Sequence, residues 1–195
     1  MTEIVGGGAE FVFSCPSCLR LFIGSYANEG YSGVLKLRYS LPHSYSKRLF
    51  PRISQISTSF ETLYNQSAQA DASELNEIAG TGYRKALEFL IKDFCIASKP
   101  EKANEVRSMF LGNVIREFVD DGKLKRAATL TSWLGNDEGH YERRWADKDL
   151  KDLKALLELT IAFVDEEVQL ELYSRSMQPN EPHRLHMISD TPSNT

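Results

Sequence analysis

The period of the apolar residues changes along this chain, and that change limits the fold more than any other feature. Up to about residue 40, apolar and polar side chains alternate. Phe11 and Phe13 alternate with Val12 in "EFVFS", and Leu19, Leu21 and Ile23 lie about Arg20 in "LRLFI". Leu35, Leu37 and Tyr39 alternate with Lys36 and Arg38 in "VLKLRY". A period of two is the signature of half-buried strands. Cys15-Pro-Ser-Cys18 falls in the first turn between them, and Asn28, Gly30 and Gly33 mark the second. The segment predicts a small three-stranded antiparallel sheet. Such a sheet is marginal alone and is expected to lean on the rest of the chain.

Beyond residue 57 the period is three and four. Ser57 or Thr58 caps a helix to about Ala72, with Phe60, Leu63 and Tyr64 inward. "GYRKALEFLIKDF" sets Tyr83, Leu87, Leu90, Ile91 and Phe94 on one stripe. Glu101 to Val119 reads as a further helix carrying Val106, Met109, Phe110 and Phe118, and Lys123 to Trp133 as a short basic one stopped by Gly135. Asp147 to about Tyr173 is the longest, with Leu150, Leu153, Leu157, Ile161, Val164 and Val168 as a central or dimer-forming seam. Asp147 and Asp149 suit the positive end of its dipole, and Asp147–Lys151 and Lys148–Asp152 are spaced as ion pairs. Between sheet and helices, "LPHSYSKRLFPRIS" is broken by Pro42 and Pro51, with Leu49 and Phe50 expected to pin it to the helices. After Ser174 the apolar periodicity ends, which predicts a disordered tail holding His183 and His186 as solvated residues. The fold class is therefore mainly α: a mostly antiparallel bundle of about five helices (48–174) behind an N-terminal β knuckle (1–47), with a tail (175–195).

At 195 residues the chain is long enough for a substantial core. A net charge of −4 argues against a dedicated non-specific nucleic-acid coat while leaving room for a local basic patch. No apolar run approaches a membrane span and none follows a basic start, so neither a membrane anchor nor a signal peptide is expected. Three cysteines make no disulfide framework, and the implied setting is the cytoplasm.

Three places could carry chemistry. Cys15 and Cys18 form half of a zinc-ribbon ligand set, with His43 twenty-five residues on as a third candidate. The alternative is a degenerate knuckle in which Pro16 shapes the turn and the thiols bind no metal, so structural zinc is the one cofactor considered. Cys95 falls mid-helix as a small buried apolar residue. Arg84 sits at the margin of its helix's apolar stripe, either paired with Glu88 or held to meet a phosphate. The third place is "WLGNDEGHYERRW", Trp133 to Trp145, which holds both tryptophans of the chain and a lone His140. Asn136 and His140 are four apart, and Arg143 and Arg144 follow. Either His140 is a cap bonded to Asn136, Asp137 or Glu138, or imidazole, amide and guanidinium together act on a phosphodiester.

"LNEIAGTGYRKALEFLIKDF" (75–94), "WLGNDEGHY" (133–141) and "RLFPRIS" together resemble the bacterial family catalogued as the four-one-four-five domain of unknown function. Its members carry a "G-x-x-x-R-x-A-L-E" helix and a "G-N-x-x-x-H" turn, often behind a Cys-x-x-Cys knuckle. That family is similar in turn to the HEPN superfamily of helical bundles, common in restriction and anti-phage systems, many of them metal-independent ribonucleases whose sites form across dimers. The resemblance implies a HEPN-like bundle, a homodimer and a defence-system partner. It maps the motif's polar residue to Asn136 and its histidine to His140. The motif's arginine falls at Gly135, so Arg84, Arg143 or Arg144 would have to replace it in space.

Three functions are therefore expected. The foremost is a non-catalytic binding or dimerisation module of a defence system. Next is a metal-independent ribonuclease with His140 as general acid/base, oriented by Asn136, and Arg84, Arg143 or Arg144 on phosphate. The third is a zinc-knuckle nucleic-acid reader built on Cys15 and Cys18.

Overall fold

The computed structural model describes residues 8–17, 19–28, 34–41 and 46–177. Cys18, His43, His183 and His186 lie outside them, as does the expected tail beyond residue 177. Among the described residues the chain forms one three-stranded sheet and six α-helices. No helix among them is long and apolar enough to cross a membrane.

Strands β1 (Gly8–Ser14), β2 (Leu21–Asn28) and β3 (Leu35–Leu41) pair antiparallel in sequence order. The pairings Phe13↔Phe22 and Ala9↔Tyr26 put Phe11, Phe13, Phe22 and Tyr26 on one face. A bulge opposite Ser25 and Tyr26 leaves Arg38 without a partner. It moves Leu37 onto the aromatic face, opposite Tyr26, while Tyr39 stays opposite Ser25 on the other. Alternation alone placed Leu35, Leu37 and Tyr39 together; the extra residue separates them. The sheet was expected to lean on the helices; among the described residues none of its side chains joins the buried core cluster of the helices. Its aliphatic and aromatic side chains remain substantially exposed, and the buried core is drawn entirely from Phe50 onward.

Helix α1 (Thr58–Ala72) starts where Ser57 Oγ accepts the Phe60 N–H. Residues 73–75 turn it into α2 (Asn76–Ser98), against which it packs as a helical hairpin. Phe60, Tyr83, Leu87, Leu90 and Ile91 are fully buried between them and their neighbours. Phe50 of the connector is pinned edge-on against Phe60 and Tyr64, at 5.0 Å from each ring, whereas Leu49 faces solvent. Around Phe50, Arg48 reaches Glu158 at 2.6 Å, Arg52 pairs with Asp165, and the Tyr64 hydroxyl donates to Glu158 at 2.6 Å. Burial first, and then the bond to Glu158, push the Tyr64 phenol up to about 12.

The expected single helix over 101–119 is two. A 3-10 turn (Pro100–Lys102) leads into α3 (Ala103–Ser108), and α4 spans Leu111–Phe118. Met109 and Phe110 between them are extended. The buried positions are Val106, then Leu111, Val114 and Ile115. Five residues at about 100° each would place Val106 and Leu111 some 140° apart on one helix, so both can turn inward only if the helix breaks. The break leaves Phe110, expected inward, 86% exposed.

Helix α5 (Gly122–Asp137) is capped by Asp121, whose carboxylate accepts the Leu124 N–H. Helix α6 (Leu150–Ser176) opens on a reciprocal box: Asp149 accepts the Lys151 and Asp152 N–H groups, and Asp152 accepts that of Asp149. Asp152 is thus a cap rather than a partner of Lys148, which pairs instead with Asp147 at 3.3 Å. The seam is central to the bundle: Leu153, Leu157, Ile161 and Val164 are almost wholly buried against α5 and α2. Where α5 crosses α6, the Thr131 and Thr160 hydroxyls meet in the buried interior at 3.1 Å, one donating to the other while the other is left to donate to a carbonyl of its own helix.

Candidate functional site at the end of helix α5

Gly135 does not stop α5. The helix runs through it to Asp137, and the missing side chain serves the approach of α2 instead. A Cβ there would lie 2.8 Å from Cδ and 3.0 Å from Cβ of Arg84. Arg84 therefore crosses over Gly135 and donates from Nε to Asn136 Oδ1 at 2.8 Å, while its Nη1 pairs with Glu88 at 3.1 Å. The sequence offered the Glu88 pair and a functional contact as alternatives for Arg84; it makes the Glu88 pair and a bond to Asn136 together.

Asp137 then redirects the chain. Its side chain is almost wholly buried, and Oδ2 accepts the backbone N–H groups of Arg144 and Trp145, both at 2.8 Å. The loop is thereby folded back so that Trp145, packed against the core, lies parallel to Trp133 with ring centres 5.7 Å apart and planes 8° from parallel. The sequence offered Asp137 only as one of three possible partners of His140. Its organising role depends on bonds to residues seven and eight positions on, which no local motif announces. The stacked pair did have a signal, since both tryptophans of the chain bracket the stretch.

Glu138 turns the opposite way and packs against Gly80 of α2, where an added Cβ would meet its Cγ and Oε2 at 2.8 Å. Burial pushes its carboxyl above the ordinary range, against the pull of Arg143, with which it forms an ion pair. Arg143 is thus drawn to a second surface shared with Asp71, Glu77 and Lys154, away from His140.

The cleft itself, about 540 Å³ and open, is lined by Trp133, Asn136, Asp137, His140, Tyr141 and Arg144 together with Glu142 and Trp145. His140 is exposed. Its backbone N–H donates to Asp137 O at 3.3 Å, and its imidazole bonds to no described residue. Its bond to Asp137 is thus through the backbone alone, and its imidazole makes no hydrogen bond to Asn136, Asp137 or Glu138. Arg144 likewise has no described partner for its guanidinium. Of the three arginines proposed for phosphate, the structure brings Arg144 to His140, holds Arg84 behind Asn136, and turns Arg143 away.

The Cys-x-x-Cys turn is described only in part. Cys15 is half-buried, its N–H bonded to Arg20 O at 2.9 Å, and the turn closes through Leu19 in the left-handed region at φ 58°. Among the described residues no three His, Cys, Asp or Glu side chains converge as a metal site. Cys95 is buried in α2, and burial pushes its thiol up to about 11.

Compared with protein-family models, curated proteins and solved structures, the chain matches none.

Proposed function

We propose that this chain is a helical nucleic-acid-binding module whose cleft at the end of α5 takes a phosphate-bearing strand. The carrying observation is the division of labour among the charged groups. Asp137, Glu138, Arg143 and Arg84 are all engaged in internal bonds, while Arg144 and His140 stand uncommitted in one open cleft, with the exposed Glu142 the one other uncommitted charged group among its described residues. A guanidinium suits a phosphate, and an exposed imidazole adds a second donor. The resemblance noted from sequence extends this proposal to a HEPN-like, dimeric component of a bacterial defence system, with RNA as the natural ligand. The test is binding of labelled RNA by fluorescence anisotropy. Arg144→Ala is expected to weaken it by about tenfold, the size of one charged phosphate contact, and Arg143→Ala to leave it unchanged. Equal loss in both variants would argue for diffuse attraction rather than this cleft.

A second function, RNA cleavage, is favoured by the openness of His140. In that scheme His140 takes the 2′-hydroxyl proton as O2′ attacks the adjacent phosphorus. The P–O5′ bond breaks, O5′ takes a proton from water, and Arg144 offsets the charge on the phosphoryl oxygens. Cleavage in EDTA that vanishes in His140→Ala would support it. No cleavage, or cleavage shared by the variant, would leave a binding module alone.

A further inference from the structure

Resting on the nucleic-acid function above, we propose that Trp133 is a base-binding shelf: it stacks on an unpaired nucleobase of a single strand, with Arg126 and Arg144 on the flanking phosphates. The fold does not account for this tryptophan. Trp145 packs against the core and stacks, laterally offset, on the Trp133 indole, with ring centres 5.7 Å apart. Trp133 is still 48% exposed. The inward positions of α5 are Leu124, Ala128, Thr131, Leu134 and Gly135, so the helix packs through small and aliphatic side chains and turns its one large aromatic outward. Tyr141, fully exposed on the same cleft, adds a second ring at its mouth.

The path of a strand follows from helix geometry. Arg126 precedes Trp133 by seven residues, which places it within about 20° on the same face and roughly 10 Å along the axis. Arg126 is exposed and bonded to no described residue. That separation matches about three steps of stacked strand at roughly 3.4 Å each. Arg144 lines the same cleft as Trp133. An unpaired base offers the shelf a free face, whereas inside a duplex both faces of a base are covered by its neighbours and only the terminal pairs expose one.

Magnitudes decide whether stacking is needed. Two arginines displace about two counterions, a log–log salt slope of about −1.4 for a single strand. On a chain of net charge −4 that gives weak, unselective attraction. One stacked base adds about fivefold to a hundredfold, so the base is the larger source of selectivity.

Trp133 and Trp145 are the only tryptophans, so tryptophan emission reports this shelf alone. The full chain would be titrated with oligoadenylate RNA, the matching DNA, a blunt duplex and an abasic oligomer of equal phosphate number, following anisotropy and tryptophan quenching together. The expected result is quenching by both single strands, binding at least fivefold tighter than to duplex or abasic oligomer, and loss of that margin in Trp133→Ala. Trp133→Phe, which keeps a ring, should retain part of it and guards against misfolding of the alanine variant. A preference for RNA over DNA would add a contact to the 2′-hydroxyl, and equality would show that base and phosphate alone are read; both support the shelf. Equal binding of abasic and base-bearing strands without quenching would overturn the shelf and leave the phosphate site standing. Binding of no oligomer would overturn both.

Discussion

Gly135→Ala tests the packing that builds the site. In an exposed helix this change stabilises by about 1 kcal/mol. Here the methyl would meet Arg84 at 2.8 Å from Cδ, 3.0 Å from Cβ and 3.4 Å from Cα. Cδ can swing away, but only by breaking the 2.8 Å bond to Asn136, a loss of about 1 kcal/mol. Cβ and Cα belong to the frame of α2 and can move only with the helix, an overpacking cost of about 1–3 kcal/mol. The sum is a net destabilisation of about 1–3 kcal/mol. In an Arg84→Ala background the clash with Cδ and the bond to Asn136 are already gone, so the same substitution should cost at least about 1 kcal/mol less. Urea unfolding followed by circular dichroism of the four proteins of this cycle gives the coupling. A Gly135→Ala variant that gains about 1 kcal/mol in both backgrounds, with no coupling, would refute the idea that Gly135 exists for Arg84.

Asp137→Ala strips the Arg144 and Trp145 N–H groups of their acceptor and should cost about 1–3 kcal/mol; the parallel tryptophan pair should separate, seen as loss of its near-ultraviolet dichroic signal. Phe50→Ala should cost about 3–5 kcal/mol by chemical denaturation, because it empties a fully packed aromatic site between Phe60 and Tyr64. Glu61 is held down to about 2, first by the Ser54 hydroxyl and then by Lys47, from an ordinary 4.5. Its folded value is depressed, so its contribution is complete above 4.5 and is lost as pH falls toward 2; Glu61→Gln should flatten the acid limb of the stability profile in that window and leave the neutral region little changed.

Much of the architecture was legible in the chain itself. The switch from period two to periods of three and four divided sheet from helices. Ser57 or Thr58 marked one helix start through local capping chemistry, and the acidic Asp147 and Asp149 marked the neighbourhood of another through the helix dipole, the helix itself opening at Leu150. The seam from Leu153 to Val168 followed from spacing, and "RLFP" disclosed Phe50 as an anchor. What misled was also local. Gly135 carries the usual mark of a helix stop, and Met109 and Phe110 continue an apolar pattern that the backbone abandons.

The sequence by itself determined which segments could bury one face, near which residues two of the helices begin, and that one short stretch concentrates His140, Asn136 and three of the cleft's aromatic side chains. Only the tertiary structure decided what those residues do. Arg84 and Asn136 are 52 positions apart and meet because α2 passes close over Gly135. Arg143 and Arg144 are neighbours with opposite fates, because a buried Glu138 draws one away and Asp137 fixes the backbone of the other beside the cleft. Periodicity and capping are properties of a few consecutive residues, whereas a binding site is set by which helices cross, and crossing depends on the shape of the whole core.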